Sequence, residues 1–419
     1  MSRHIVVIGA GIVGASTAWE LLKDNHRVTI VEPDEPGGSQ AASYGNGGWI
    51  SPASIVPMSM PGLWRNIPGL MFAHAGPLTL RWTALPALMP WLLRFLAAGV
   101  TVTKVERTAR ALASILGDAP SRHLALAQEI GQPGFVQQTG LLYAYRDRDA
   151  FLADRLAWRL RKQNGVNWTE LNAAELRGRE PDLSPDYHFA AFVGNGAHCI
   201  DPGAYVAAIV TAAVSRGAIL QQARVTGFTN DNGRLTEVMT DRGPIACDCA
   251  VICAGIHSKV LARAAGSRVF LESERGYHGV IANPAAGPRV PIMPSDGRQA
   301  NTSTSKGLRL SGQVELASVE AKPNWRRVDV LVQHALKAYP GLGSRDGLSI
   351  DRWMGHRPST PDGKPVIGPA KMSPDIFCAF GHGHIGLATG PITGQIIADL
   401  IAGRQTKIDL APFDPKRFS

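Results

Sequence analysis

The sequence predicts an α/β chain in which a parallel-sheet nucleotide-binding domain is interrupted by a second, α+β domain with a mostly antiparallel sheet. Three observations carry this. Residues 4–32 read as strand, glycine turn, helix and strand, the length of one βαβ unit. Parallel-sheet signals return at roughly 202–264 and 350–419. Between them, candidate strands at 267–282 and 306–315 have little helix to carry a parallel crossover. The implied boundaries are 1–85, 201–264 and 350–419 for the nucleotide-binding domain, and 86–200 with 265–349 for the second domain.

The β-branched run HIVVI (4–8) leads into Gly9-Ala10-Gly11-Ile12-Val13-Gly14, a helical pattern from Ala15 to Lys23, and RVTIV (27–31), which ends at Glu32. Residues 33–62 are rich in Gly, Ser, Asn and Pro and read as a long ordered loop, a class that usually carries function. Residues 78–130 read mainly helical, broken by Pro86 and Pro90; a strand follows at 139–145 and helices at 150–163 and 170–177. Pro202 suits the first turn of a helix to Arg216. Strands near 218–228 and 235–240 precede 247–254, which alternates like a buried strand with Cys247, Cys249 and Cys253 on one face. A helix over 328–339 stops at Pro340–Gly341, and a loop-rich run follows 350. The chain closes with a strand at 376–380 and a helix from about Pro391 to Ala402.

Composition narrows the function. The 419 residues, 45% hydrophobic and 18% charged, exclude a disordered or collagen-like chain. The net charge of +9 is scattered; the densest stretches, 155–162 and Arg326–Arg327, are short solvated faces, so no nucleic-acid partner is expected. Five sparse cysteines do not form a disulfide framework, and small buried thiols are favoured over a zinc site. No metal is expected. No signal peptide is visible, since Gly9 starts a turn directly after the apolar run 4–8. The most membrane-like stretch, 84–100, is short and contains Pro86, Pro90 and Arg94, which argues against a span. A cytoplasmic protein with at most peripheral contact at the inner membrane is expected.

Five motifs carry chemistry. In GAGIVG, Gly9 permits a tight turn, Gly11 lets backbone approach a pyrophosphate, and Gly14 lets helix and strand pack closely. Glu32 follows at the end of the second strand, where a carboxylate accepts hydrogen bonds from an adenosine ribose. This implies a dinucleotide without separating NAD from FAD. The run Ser43-Tyr44-Gly45-Asn46-Gly47-Gly48-Trp49-Ile50 would let backbone amides approach a flat ligand, or is simply a flexible loop. In GHRPSTPDGKPVIGP (355–369), Arg357 is either a bidentate partner for a carboxylate or a cap on backbone carbonyls. Phe380-Gly381-His382-Gly383-His384-Ile385-Gly386-Leu387 leads into a helix whose N-terminus can stabilise negative charge; metal binding at its two histidines is the weaker reading. In Arg275-Gly276-Tyr277-His278, Tyr277 and His278 would face either a substrate or the core.

Together the motifs resemble the D-amino acid oxidase/glycine oxidase superfamily of FAD-dependent oxidoreductases. They are most similar to the bacterial D-amino acid dehydrogenase branch, over essentially the whole chain; RGYH with GLRLSG (307–312) is similar to hydroxy-D-proline dehydrogenases. The resemblance implies a Rossmann-like FAD-binding domain interrupted by the substrate domain. Gly9, Gly11, Ile12, Val13, Gly14 and Glu32 would hold the ADP half of FAD, with Val225 meeting the adenine through its backbone. Ser43, Asn46, Gly47 and Gly48 would line the flavin, and Ala254 and Gly255 would approach the pyrophosphate. Gly381, His384, Ile385, Gly386 and Leu387 would cover the pyrimidine edge. Arg357 would pair the substrate carboxylate, with Tyr277, His278 and Arg309 as further candidates around the substrate. No covalent attachment motif is seen, so FAD is expected to be non-covalent.

The implied activity is dehydrogenation of a D-amino acid, with a cyclic secondary amine such as hydroxy-D-proline or D-proline preferred. A neutral amine would push electrons as the Cα hydrogen leaves as hydride to the flavin, with no dedicated acid/base pair. Electrons would pass to a quinone, a dye or another acceptor. A glycine- or sarcosine-type oxidase using oxygen, and a non-catalytic FAD-binding subunit, are the alternatives. The oligomeric state is not predicted.

Overall fold

Runs of three to five mostly β-branched and aliphatic residues, buried in all but the edge strand at 219–221, build the central sheet, and glycines turn the chain at its strand ends. A computed structural model of the chain describes residues 2–63 and 78–418. Strands are numbered in chain order. β1 (His4–Ile8), β2 (Arg27–Val31), β10 (Ile219–Gln221), β14 (Cys249–Ile252), β20 (Val366–Pro369) and β21 (Ile376–Phe380) form a six-stranded sheet in the order β10-β2-β1-β14-β21-β20. All are parallel except β20, which runs antiparallel to β21. Such strands are buried on both faces, so they read as continuous apolar runs.

One face of this sheet is covered by the helix Ile12–Lys23, on which the last helix, Gly386–Ile401, and the helix Pro202–Ser215 pack. The first and last helices touch backbone to backbone: a Cβ on Gly394 would lie 2.7 Å from the Ser16 carbonyl group. The last helix begins at Gly386, earlier than its sequence suggests, and carries Pro391 inside it. Pro391 cannot donate to the Leu387 carbonyl, and the buried His123 Nε2 lies 2.8 Å from that oxygen in its stead. β11 (Val225–Asp231), β12 (Arg234–Thr240) and β13 (Gly243–Ala246) form an antiparallel meander between β10 and β14 in the chain.

The second large sheet has nine strands. β19 (Ile350–Ser359), β15 (Glu272–Ile281), β18 (Gly307–Leu316), β17 (Ala300–Thr304), β16 (Ile292–Pro294), β6 (Leu141–Tyr145), β8 (Phe189–Val193) and β7 (Thr169–Asn172) follow in that order, and β4 (Leu78–Leu80) pairs with β18. The helix Arg326–Ala338 packs on β15 and β18 and closes a core containing Tyr277, Leu308, Leu310, Leu331 and Tyr339. β3 (Trp49–Ile50), β5 (Val136–Gln137) and β9 (Ala197–Cys199) form a small third sheet.

Several elements depart from the sequence reading. The run after 350, read as loop-rich and grouped with the nucleotide-binding segments, is a ten-residue strand paired with β15 along its whole length. It is an edge strand, where Pro358 removes no needed ladder bond. Residues 78–80, grouped with the same segments, likewise join the large sheet. Pro86 and Pro90 do not break the helix Leu85–Ala98; Pro86 falls in its first turn, where an N–H has no intrahelical partner. The three cysteines do not share a face. Cys249 and Cys253 pack beneath the first helix, whereas Cys247 precedes β14 and joins the core on the other side of the sheet. All five thiols are free and buried. Among the described residues no group of His, Cys, Asp and Glu could hold a metal ion, and no single helix is long and apolar enough to cross a membrane.

Candidate active site

A cavity of about 1230 Å³ lies between the carboxyl ends of the parallel strands and one face of the large sheet. Residues directly after β1, β2, β14 and β21 (Gly9, Glu32, Cys253 and Gly381) all line it. The carboxyl edge of a parallel sheet is where α/β folds take ligands.

At one end, Gly9 has φ +102° and lies so close to Cys253 that a Cβ would be 2.7 Å from its carbonyl oxygen. Gly14 is equally constrained: a Cβ there would run into the Gly9 carbonyl. Gly14 therefore packs the turn and does not line the cavity, whereas Gly9, Gly11, Ile12 and Val13 do. The first helix points its free N–H groups at this space, and Ile12 N–H donates to Ser43 Oγ at 3.1 Å. Glu32 Oε2 accepts the Ala10 N–H at 2.7 Å and Oε1 the Asp34 N–H at 3.3 Å. Burial pushes the Glu32 pKa up, and those two N–H groups oppose the rise. Val225, Ala254 and Gly255 complete this end.

Ser43, Asn46 and Gly47 also line the cavity, as do Gly381, His384, Ile385, Gly386 and Leu387. Gly48 does not reach it. With φ +78°, Gly48 turns the chain, donating to Asn46 Oδ1 at 2.9 Å and accepting the Cys199 N–H at 2.7 Å.

The far wall is the paired surface of β15 and β19. Alternation along a strand puts Glu274, Gly276 and His278 on one face, opposite Arg357, Gly355 and Trp353. Arg357 lies on Gly276, where a Cβ would collide with the guanidinium, and Trp353 likewise covers Gly355. Nη1 of Arg357 donates to the Gln313 carbonyl at 3.0 Å and Nη2 to that of Gly312 at 3.4 Å. Burial lowers the Arg357 pKa, opposed by Glu274, but a guanidinium keeps its proton throughout the working range. Glu274, 4% exposed, also lines the cavity.

Three sequence candidates lie outside it. Tyr277 sits on the opposite face of β15, where its hydroxyl donates to Glu315 and accepts the Asn324 N–H at 3.0 Å. His278 shares the cavity face but lies under Trp353, with stacked rings 4.9 Å apart, and Nδ1 meets the Gly45 carbonyl at 3.3 Å. Arg309 donates to the carbonyls of Tyr44 (3.1 Å) and Asn46 (2.8 Å) and so fastens the loop. Conversely, Glu274, Gly276 and Trp353 were missed. A period-two reading of ESERGYH signals Glu274: once Tyr277 faces the core, Glu274 faces away from it.

Residues 4–400 match the family model DAO, FAD dependent oxidoreductase. The chain belongs to this family of FAD-dependent oxidoreductases. A relative from Bradyrhizobium diazoefficiens named D-amino-acid oxidase is 49% identical over 418 residues, covering 99% of both chains. One from Paramagnetospirillum magneticum named D-amino acid dehydrogenase is 29% identical, again over 99% of each. Among solved structures, glycine oxidase from Geobacillus kaustophilus is similar at TM-score 0.75 and 21% identity, covering 99% of both chains. L-proline dehydrogenase from P. horikoshii is similar at TM-score 0.76 and 21% identity, covering 100% of this chain and 98% of its own.

The cavity suits the flavoprotein's cofactor. Its volume exceeds the usual small-molecule range of about 300–1,000 Å³. Its near end offers helix N–H groups and a seated carboxylate, and its middle is walled by backbone that glycines keep thin.

Proposed function

We propose that this flavoprotein oxidises D-amino acids, and that Arg357 holds the substrate carboxylate. The observation that carries the reading is the Arg357 guanidinium on the cavity wall, seated on a glycine and braced by two carbonyls. The 49% identical relative, named for D-amino acids, supports the substrate class. FAD would be held without a covalent bond by Gly9, Gly11, Ile12, Val13 and Glu32 at its adenosine end, with Gly14 setting the turn. Val225, Ala254 and Gly255 would continue that end; Ser43, Asn46, Gly47, Gly381 and His384 to Leu387 would surround the ring system, with Gly48 setting the loop. In this reading the six-stranded sheet serves the cofactor and the nine-stranded sheet supplies the substrate wall.

When bound, FAD would supply the hydride-accepting chemistry that oxidation of the amino acid at Cα requires. The chain itself contributes position. Arg357 fixes the carboxylate by a bidentate fork, and Phe95, Met58 and Leu63 offer an apolar boundary that excludes water. A cyclic secondary amine such as D-proline or hydroxy-D-proline is the preferred substrate in this proposal.

The test is an anaerobic screen of purified protein against a panel of D- and L-amino acids, with bleaching of the flavin band as readout. Bleaching by D-amino acids is expected; an unbleached flavin across the panel would reduce the protein to an electron-passing subunit. Reoxidation then identifies the acceptor. The dehydrogenase reading expects slow reaction with oxygen and fast reaction with a dye or quinone. The name of the 49% identical relative favours the second reading, an oxidase, which expects rapid reoxidation in air with stoichiometric peroxide.

A further inference from the structure

Two charges of opposite sign share the cavity face of one strand pair. Glu274 and Arg357 are direct partners in the β15–β19 register, yet the guanidinium leans over Gly276, two residues further along β15. That step is about 7 Å along a strand. Among the described residues no cation lies within ion-pairing distance of the Glu274 carboxylate, although the residue is 4% exposed and faces the cavity. A buried carboxylate without a cation paired to it is costly unless a ligand supplies one. A carboxylate seated on Arg357 belongs to a molecule whose α-ammonium lies one carbon away. The wall thus offers a cation for one end of a zwitterion and an anion for the other.

We propose that Glu274 receives the proton of the substrate ammonium, and so prepares the neutral amine that oxidation requires. The inference rests on the amino-acid reading above. In the step one N–H bond breaks and one O–H bond forms: R–NH3⁺ and the Glu274 carboxylate become R–NH2 and the Glu274 carboxylic acid. No electrons change hands. The amine lone pair is then free to support departure of the Cα hydrogen to FAD, and Glu274 returns its proton to solvent when product leaves.

The groups facing Glu274 are few. β19 presents Arg357 and Ser359, the turn after it presents Asp362, which Lys364 and Arg417 pair, and the segment after β21 presents His382 and His384. β18 opposes it with the uncharged Leu316, while Glu315 and Arg275 face the other side of the sheet. Pro57, Met58, Ser59 and Phe95 bring no charge. Burial lowers His382 to about 3 and His384 to about 4, so both are neutral above pH 5. Burial raises Glu274 towards the range in which it can exchange a proton with a substrate, and Ser359 and Arg357 oppose the rise.

Two measurements on the FAD-loaded protein test this. The first is the rate of anaerobic flavin reduction by D-alanine from pH 6 to about 10, for wild type, Glu274→Gln and Glu274→Asp. Glu274→Gln is expected to slow reduction about a hundredfold near neutrality. It should recover as pH approaches the amine's own pKa of about 10, and Glu274→Asp should fall between the two. The second is the binding of propionate, a carboxylate without an amine, followed by the flavin spectrum. Wild type should bind it more weakly as pH rises, because Glu274 must be protonated beside a second anion; Glu274→Gln should bind it with little pH dependence. A rate loss equal at every pH, no loss at all, or a loss confined to D-arginine and D-lysine would overturn the proposal, the last by placing the side chain's cation on Glu274. A wild type whose flavin no amino acid bleaches would instead overturn the functional reading, and the propionate series would still read the carboxylate beside Arg357.

Discussion

A guanidinium removed from most of its water depends on the geometry around it. Arg357 is oriented by two backbone carbonyls and a glycine seat, so its remaining donors are aimed before any ligand arrives. A lysine offers a point charge on a flexible stem and would lose that fork. Arg357→Lys is expected to raise the KM for a D-amino acid at least about tenfold with a smaller change in kcat. Steady-state kinetics with a dye acceptor measure it, and an unchanged KM would remove Arg357 from the substrate. Glu32 is the matching residue at the other end of the cavity. Glu32→Ala would leave the Ala10 N–H without its acceptor, costing about 1–3 kcal/mol of local order, and is expected to lower FAD occupancy without unfolding the chain. The ratio of flavin to protein absorbance after purification, compared with the far-UV circular dichroism, separates the two effects.

Elements were legible where one physical cause dominated their sequence. The first βαβ unit could be read because glycine spacing, β-branched strands and a terminal acid all agree. β19 could not, because Gly355 and Pro358 look like loop residues; they are tolerated only because the strand is an edge and Gly355 is covered by Trp353. The same misreading hid the cavity wall. Without β19 beside β15, nothing says that Glu274 and Arg357 share a face while Tyr277 faces the core. Pro391 concealed the start of the last helix, since the histidine that answers its missing hydrogen bond lies far away in sequence. That helix also gives a test. Gly394 faces Ser16 backbone at a distance no side chain fits, and backbone cannot rotate away as a side chain could. Gly394→Val is expected to force the first and last helices apart, cost about 1–3 kcal/mol or more, and lower the urea midpoint. The same substitution at Gly403, beyond the helix and without a neighbour within 4 Å, adds no such crowding; strain from its φ of +69° is its only cost.

At the scale of the whole molecule, buried neutral histidines set the acid limit. Burial lowers His123, His198 and His384 to about 4 and His278 and His382 to about 3. In the unfolded chain each would titrate near about 6.5. Below that value the unfolded chain binds protons that the native protein refuses. The stability these histidines contribute is therefore present above about pH 6.5 and is lost as pH falls towards 4. Urea unfolding at pH 7.5 and 5.5 is expected to show a markedly lower midpoint at the lower pH. A midpoint constant across that interval would mean that the native histidines titrate normally.

The order of the six-stranded sheet has a consequence for how the chain is made. β1 is made well before its neighbour β14, which begins at Cys249, and before the next strand, β21, which begins at Ile376. At roughly 5–20 residues per second, a nascent chain holds β1 and β2 for on the order of tens of seconds before β10 and then β14 can pair with them. The helix Gly386–Ile401, which covers the first helix, is made after every strand of that sheet. The cavity wall after β21 is therefore among the last parts of the site to be made. Until then the apolar face of Ile12–Lys23 lacks its cover, and a chain truncated before Ile376 would lack β21 and the cavity wall that follows it.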